Sequence, residues 1–356
     1  MILLNPGPVN VSPRVTAALA RGDLCHREPE CAALLESIRE RLVAAFAPAG
    51  EFTAVLISGS GTAALEAAVT SVLSARGKLV VVSNGIYGER IAAMATAARL
   101  PHVVVSCPWT ERPDLRAVEA ALRPPDVEAV AIVHHETTTG LLNPVAEVGA
   151  LARQHRKLLL VDSISGLGGD ALDCEAAHVD LVVGTANKCI QGLPGMAFVL
   201  VRRNVMQRLV AYPRRSLYLS LPVHFEALER RSTPYTPAVQ AAYALDEALA
   251  ELHEEGVANR VARYARAAAL LRAGFASLGL KLLLPPELLS NSITTLVMPA
   301  SQSYAALHDG LKARGFVIYE GQGQLKQDIF RVANMGHLTR TDFERFLGAL
   351  AEVLRA

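Results

Sequence analysis

Three short runs in this 356-residue chain hold residue types that do chemistry when they meet. In GTANKCIQGLPG (184–195), Lys188 stands among small and apolar neighbours, directly after the run Asp180-Leu181-Val182-Val183. An amine in a dry pocket has a lowered pKa and can serve as an imine-forming nucleophile; a lone buried lysine more often serves as a salt-bridge partner. In KLLLVD (157–162), Asp162 closes an apolar run. A carboxylate there needs a partner, either the N–H groups of a turn or a cationic ring nitrogen. In SGSGT (58–62), hydroxyls and glycine-freed N–H groups at a helix start form an anion cradle favoured by the helix dipole, or simply a glycine-rich turn with a Thr cap. Asp162 and Lys188 are 26 residues apart (188 − 162). A phosphate cradle, a strand-end acid and a strand-end amine are together what pyridoxal phosphate requires: its phosphate is held, its ring nitrogen paired and its aldehyde bonded.

These runs are positioned by alternating strands and helices. FTAVLIS (52–58), KLVVVSN (78–84), HVVVSC (102–107), VEAVAIVHHE (127–136), KLLLVDSIS (157–165), VDLVVGTAN (179–187) and GMAFVLVRR (195–203) read as seven strands. GTAALEAAVTSVLSA, YGERIAAMATAARL, RAVEAALR and AEVGALARQH read as helices between them. Continuous Val/Leu/Ile strands joined by amphipathic helices predict an α/β fold with a mostly parallel seven-stranded sheet covered on both faces. Ligands of such sheets gather beyond the carboxyl ends of the strands, where all three runs fall. From about residue 240 the pattern changes to a long helical stretch (238–279) interrupted at Gly256, followed by short strands and helices. The expected organisation is an N-terminal segment over 1–20, a large domain over 21–240 and a smaller α+β domain over 241–356.

Composition sets limits. Hydrophobic residues make up 51% and charged residues 19%, and 35 basic against 34 acidic side chains leave a net charge of +1. There is no electrostatic footprint for nucleic acid or an anionic membrane. The start MILLNPGPVN has no basic region or long apolar segment, so neither secretion nor membrane insertion is expected. Five scattered cysteines without a CxxC pair argue against a disulfide framework or a metal site and fit a reducing cytoplasm.

The order SGSGTAALEA, NGIYGER, HHETTTG, VDSISGLGG, ANKCIQGLPG and FRVANMG resembles the class V aminotransferases of fold type I, over essentially the whole chain from NPGPVNVS (5–12) onward. Within that family, ETTTGLLNP and ANKCIQGLPG most resemble the branch that passes the amine of 2-aminoethylphosphonate to pyruvate. The alanine:glyoxylate and serine:pyruvate branch comes next. The resemblance implies pyridoxal 5'-phosphate, a small amino donor, a 2-keto acid acceptor and a homodimer. Residue by residue, it makes Lys188 the cofactor-bonding lysine and acid/base, and Asp162 the partner of the ring nitrogen. Ser60, Gly61 and Thr62 become the phosphate cradle. Tyr87 is the aromatic that stacks on the ring, a place where the alanine:glyoxylate branch usually has Trp. Thr138, or its neighbour Thr137, is a hydroxyl near the ring. Thr236, in PYTPAVQ, reaches the phosphate in the partner's site. Arg331 is the substrate anchor, its planar fork suited to a carboxylate or a phosphonate. Asn5 and Gly7 lie in a segment crossing the mouth of the site and contact substrate. Arg27, in CHREPE, is either a second cation for a phosphonate or a surface partner of Glu28 or Glu30. His134 and His135 are read as structural.

Other chemistries fit less well. A desulfurase of this family needs a nucleophilic cysteine late in the chain, and none follows Cys189. A dinucleotide-binding oxidoreductase needs GxGxxG after the first strand, whereas Ala64 stands at the third glycine position. A regulator would need a basic helix-turn-helix, which is not visible. A lyase using the same lysine and aspartate stays open.

Overall fold

A computed structural model describes residues 1–355. Its centre is a seven-stranded sheet built from β1 (Phe52–Gly59), β2 (Lys78–Ser83), β3 (His102–Ser106), β4 (Val127–Val133), β5 (Leu158–Asp162), β6 (Leu181–Thr185) and β7 (Gly195–Arg202). The spatial order is β1-β7-β6-β5-β4-β2-β3. Only β7 runs antiparallel, pairing with β1 and β6 on either side. All seven strands read from the sequence are present. The interior strands β4, β5 and β6 are buried along nearly their whole length, which is why they are continuous aliphatic runs rather than alternating ones.

This order brings the carboxyl ends of β1, β2, β4, β5 and β6 to one edge. The segments leaving them are therefore neighbours: the helix Gly61–Ser71 after β1, the helix Ile86–Ala97 after β2, the short hairpin strand His135–Glu136 after β4, and Asp162 and Lys188 after β5 and β6. The seven-stranded sheet, with the helices on it, buries one extended apolar core.

A second core lies under the three-stranded sheet made of Ile293–Val297, Ile329–Ala333 and Tyr319–Glu320, packed against the helices Val257–Ser277, Tyr304–Ala313 and Arg340–Arg355. Residues 240/241, where the sequence pattern changes, fall inside a helix. The helix Val239–Glu255 buries Ala242, Leu245, Leu249 and Leu252 in the core of the first sheet. The change of core falls instead at Gly256, whose φ of 84° turns the chain into the next helix. The start of the N-terminal segment is tied to the second core. Ile2–Leu3 pair in parallel with Phe316–Val317, and Leu4 sits in the second core while its carbonyl accepts from Ala333 N at 2.8 Å.

Leu4 thus ties the segment that leads to the site onto the second core. Leu4→Ala is expected to lower unfolding stability by about 3 kcal/mol, as for other fully buried leucines, read as a shift of the denaturant midpoint. A change below about 1 kcal/mol would show that the segment is not anchored there.

Candidate active site

Asp162 ends a fully buried strand. Its Oδ1 accepts the N–H of Ile164 at 3.0 Å, while Oδ2 is buried with no protein partner. Burial raises its pKa to about 6, against the opposing pull of the Ile164 N–H, Arg90 and Lys188. A buried carboxylate oxygen with no donor is costly unless a ligand supplies one. A protonated ring nitrogen is such a donor, and this orphaned atom is where the chain fits a pyridinium.

Lys188 follows β6 in a turn whose geometry the sequence supports. Gln191 adopts a left-handed φ of 68° and its amide is clamped between Tyr264 Oη (2.8 Å) and Gly336 O (2.9 Å), which fixes the turn to the helix Val257–Ser277 and to the loop after Ala333. Lys188 Nζ donates to the carbonyl of Pro6. Gly7 passes so close that a Cβ on it would come within 2.9 Å of Nζ, and its φ of 109° is one a side chain rarely adopts. Asn5 is buried with its Oδ1 unpartnered. Desolvation is the main influence on Lys188 and lowers its pKa to about 8, with Arg331 and Arg90 pushing the same way and Asp162 opposing. Near neutral pH a useful fraction of this amine is therefore uncharged.

At the start of the helix Gly61–Ser71, Ser60 is the N-cap residue but its side chain makes no capping bond, so its hydroxyl and the first-turn N–H groups of Gly61 and Thr62 are available to an anion. Gly61 also permits close approach to the segment after Asp162, since a Cβ there would lie 2.9 Å from Ile164 Cδ1. Tyr87 opens the neighbouring helix, half-buried, and the guanidinium of Arg90 sits 4.7 Å from its ring centroid.

Glu136 explains how that helix start is held. Its buried carboxylate accepts from Tyr87 N (3.2 Å), Gly88 N (3.3 Å), Thr138 N (3.2 Å) and Thr138 Oγ1 (2.5 Å). Burial raises its pKa to about 7 despite these bonds. Thr138 is accordingly not a free hydroxyl: it donates to Glu136 and accepts from Ile86 N at 3.2 Å. The unpartnered buried hydroxyl of the pair belongs to Thr137. Of the alternatives left by the sequence, Thr137 is the one with a group to offer.

Arg331 has no exposed surface and pairs with no carboxylate among the described residues. Its partners are the carbonyls of Glu320 (Nε 3.0 Å, Nη2 2.6 Å) and Thr137 (Nη1 2.9 Å) and the side chain of Gln322 (Nη1 3.2 Å), with the Tyr319 ring 5.0 Å away. Burial pushes its pKa down. A desolvated cation surrounded only by neutral oxygens is a receptor for an anion.

Two residues lie elsewhere. Arg27 donates to Ser232 Oγ (3.1 Å) and Thr233 O (2.7 Å), so in this chain it serves the loop leading to Thr236; it pairs with neither Glu28 nor Glu30. Thr236 is exposed, on a segment fastened to the cradle strand where Ala238 N donates to Ser58 Oγ at 3.0 Å. His134 and His135 are buried and held neutral by desolvation, His134 against Ser163 Oγ at 2.9 Å. Sequence reading passed over Glu136, Arg90 and Gln322. The first two stand inside motifs already singled out, where an acid or a guanidinium beside an apolar strand end was the available signal; Gln322 carried none.

A family model of class-V aminotransferases matches residues 13–345, and the chain belongs to that family. It is an aminotransferase. Among its relatives, the 2-aminoethylphosphonate–pyruvate transaminase of Syntrophobacter fumaroxidans is 38% identical over 359 residues, covering 99% of this chain and 96% of that protein. Among solved structures, an alanine–glyoxylate aminotransferase of Nostoc sp. aligns with a TM-score of 0.93 at 28% identity over 99% of this chain and 95% of its own. A subgroup IV aspartate aminotransferase of Thermus thermophilus aligns at 0.91 and 28% identity over 100% and 99%.

Lys188→Ala is expected to abolish the visible absorption of lysine-bound pyridoxal phosphate; a retained band would remove the lysine from that role. Because the uncharged amine is the nucleophile, the rate at which cofactor-free protein captures the cofactor should climb with pH and level off above about 8. A flat profile from about pH 6 to about pH 9 would contradict a desolvated lysine.

Proposed function

We propose that this protein moves the amino group of 2-aminoethylphosphonate to pyruvate, forming phosphonoacetaldehyde and alanine in two half-reactions on one site. The phosphonate donor rests on the full-length likeness to 2-aminoethylphosphonate–pyruvate transaminases. The anionic tail common to both substrates rests on Arg331, buried without a carboxylate.

Pyridoxal phosphate is the cofactor of this reading, with Ser60, Gly61 and Thr62 at its phosphate, Tyr87 at its ring face, Asp162 at its ring nitrogen and Lys188 at its aldehyde. When bound, it withdraws the electron pair left when the donor's amine-bearing carbon loses a proton. Lys188, as a free amine, would accept the proton of the donor's amine-bearing carbon and give it back; its lowered basicity suits a group that must do both near neutral pH. The Pro6 carbonyl gives the free amine a fixed direction. Asp162, whose charged form the Ile164 N–H, Arg90 and Lys188 favour against its burial, would pair with the ring nitrogen and hold it protonated. Arg331 orients the phosphonate in the first half-reaction and the carboxylate of pyruvate in the second, so the reacting carbon meets Lys188 each time. Asn5 and Gly7 close the mouth over the amine. Thr236, on an exposed loop braced by Arg27, extends into the site of a second copy, making the working unit a homodimer. The two cores, divided at Gly256, are the two domains. A cytoplasmic setting agrees with the scattered free cysteines; no helix among the described residues is long and apolar enough to cross a membrane.

The direct test adds 2-aminoethylphosphonate alone and then pyruvate to the purified holoprotein. Loss of the visible band on the first addition and its return on the second is the expected result. A band that ignores the phosphonate but responds to alanine or serine moves the donor to the glyoxylate branch, and ammonia released without pyruvate makes the protein a lyase. Arg331→Ala should weaken both substrates by at least roughly tenfold, as loss of a charged hydrogen-bond pair does. Unchanged apparent affinities for both would remove it as the anchor.

A further inference from the structure

Arg331 has five N–H donors. Three of its bonds run to the backbone carbonyls of Glu320 and Thr137, which the strands and hairpin hold in place. The remaining hydrogen on Nη1 is taken by Gln322 Oε1 at 3.2 Å, and the remaining one on Nη2 has no protein acceptor among the described residues. These two are all the fork has left for an anion, and a movable side chain sits on one of them. Gln322 is half-buried and lies in the loop just after Glu320, so its amide can turn without disturbing the strand.

The two substrates of the proposed reaction make different demands on this place. A carboxylate has two oxygens, which match the two free hydrogens once the Gln322 carbonyl withdraws. A phosphonate has a third oxygen and additional charge, and needs one more donor. Tyr319 presents its ring face to the cation rather than a donor, and the side chain that already bonds the fork is Gln322. We propose that Gln322 sets the discrimination between phosphonate and carboxylate: its carbonyl caps Arg331 when no anion is bound, and its amide N–H donates to the third oxygen of a phosphonate. This assignment rests on Arg331 as the anchor and on a phosphonate as the donor.

The test measures the two half-reactions separately on the native holoenzyme and on Gln322→Ala, following the visible band. The apparent dissociation constant for 2-aminoethylphosphonate should rise roughly tenfold in the variant, the usual effect of losing a hydrogen bond to a charged group. That for pyruvate should stay within about twofold or fall, because a competing acceptor has gone. Equal weakening of both substrates would mean that Gln322 only steadies Arg331, and unchanged values for both would mean that it does not meet the anion; either overturns the proposal. A native enzyme that fails to react with the phosphonate overturns the donor reading and this assignment with it. A native enzyme that reacts while the variant keeps its substrate ratio overturns the assignment alone.

Discussion

A carboxylate oxygen left without a donor at the end of a buried strand is the constraint around which this structure is arranged. Asp162 cannot move to water, because Leu158–Val161 hold it in the middle of the sheet, and it cannot take a second N–H from the turn, because Ile164 supplies only one. Its neighbours answer the resulting charge from two directions: Lys188 across the adjacent strand end and Arg90 from the helix beside it. Lys188 is held below its ordinary basicity by its own desolvation, with Arg331 and Arg90 adding to that effect and Cys189 and the acid opposing it. The acid and the amine are thus tuned by one shared desolvation rather than by a salt bridge between them.

The neutral shell of Arg331 follows the same logic at the other end of the site. A carboxylate partner would have stabilised the guanidinium but closed it to any other anion. Backbone carbonyls satisfy its geometry while leaving its charge uncompensated. Glu136 serves both ends. It fastens the helix that carries Tyr87 and Arg90, and the residue after it, Thr137, supplies a carbonyl to Arg331. The N-terminal segment completes the enclosure by pairing with Phe316–Val317 beside the second core and laying Pro6 and Gly7 over Lys188, so the site borrows elements from both cores.

Much of this was legible beforehand. Each interior strand is an unbroken aliphatic run because both of its faces are covered, and that pattern survives in one dimension; so do the glycines and the lysine at the strand ends. The boundary at Gly256 was less legible, because the helix Val239–Glu255 has an apolar stripe that fits either core, and only packing assigns it to the first. Thr138 and Thr137 are adjacent and chemically identical, and their difference arises from which one faces Glu136 and the start of the next helix. Arg27 carried a charge that suited a phosphonate, yet it turns to a loop more than 200 residues away along the chain.

The sequence by itself determined the sheet, the order of its motifs and the family, because local patterning and residue type decide those. The tertiary structure alone decided which polar atoms are left without partners. Asp162 Oδ2, the Thr137 hydroxyl and the last free hydrogen on Arg331 Nη2 are defined by what long-range neighbours fail to supply. That failure has no signature in a linear chain, since a hydrogen bond is a relation between atoms that folding alone brings within reach.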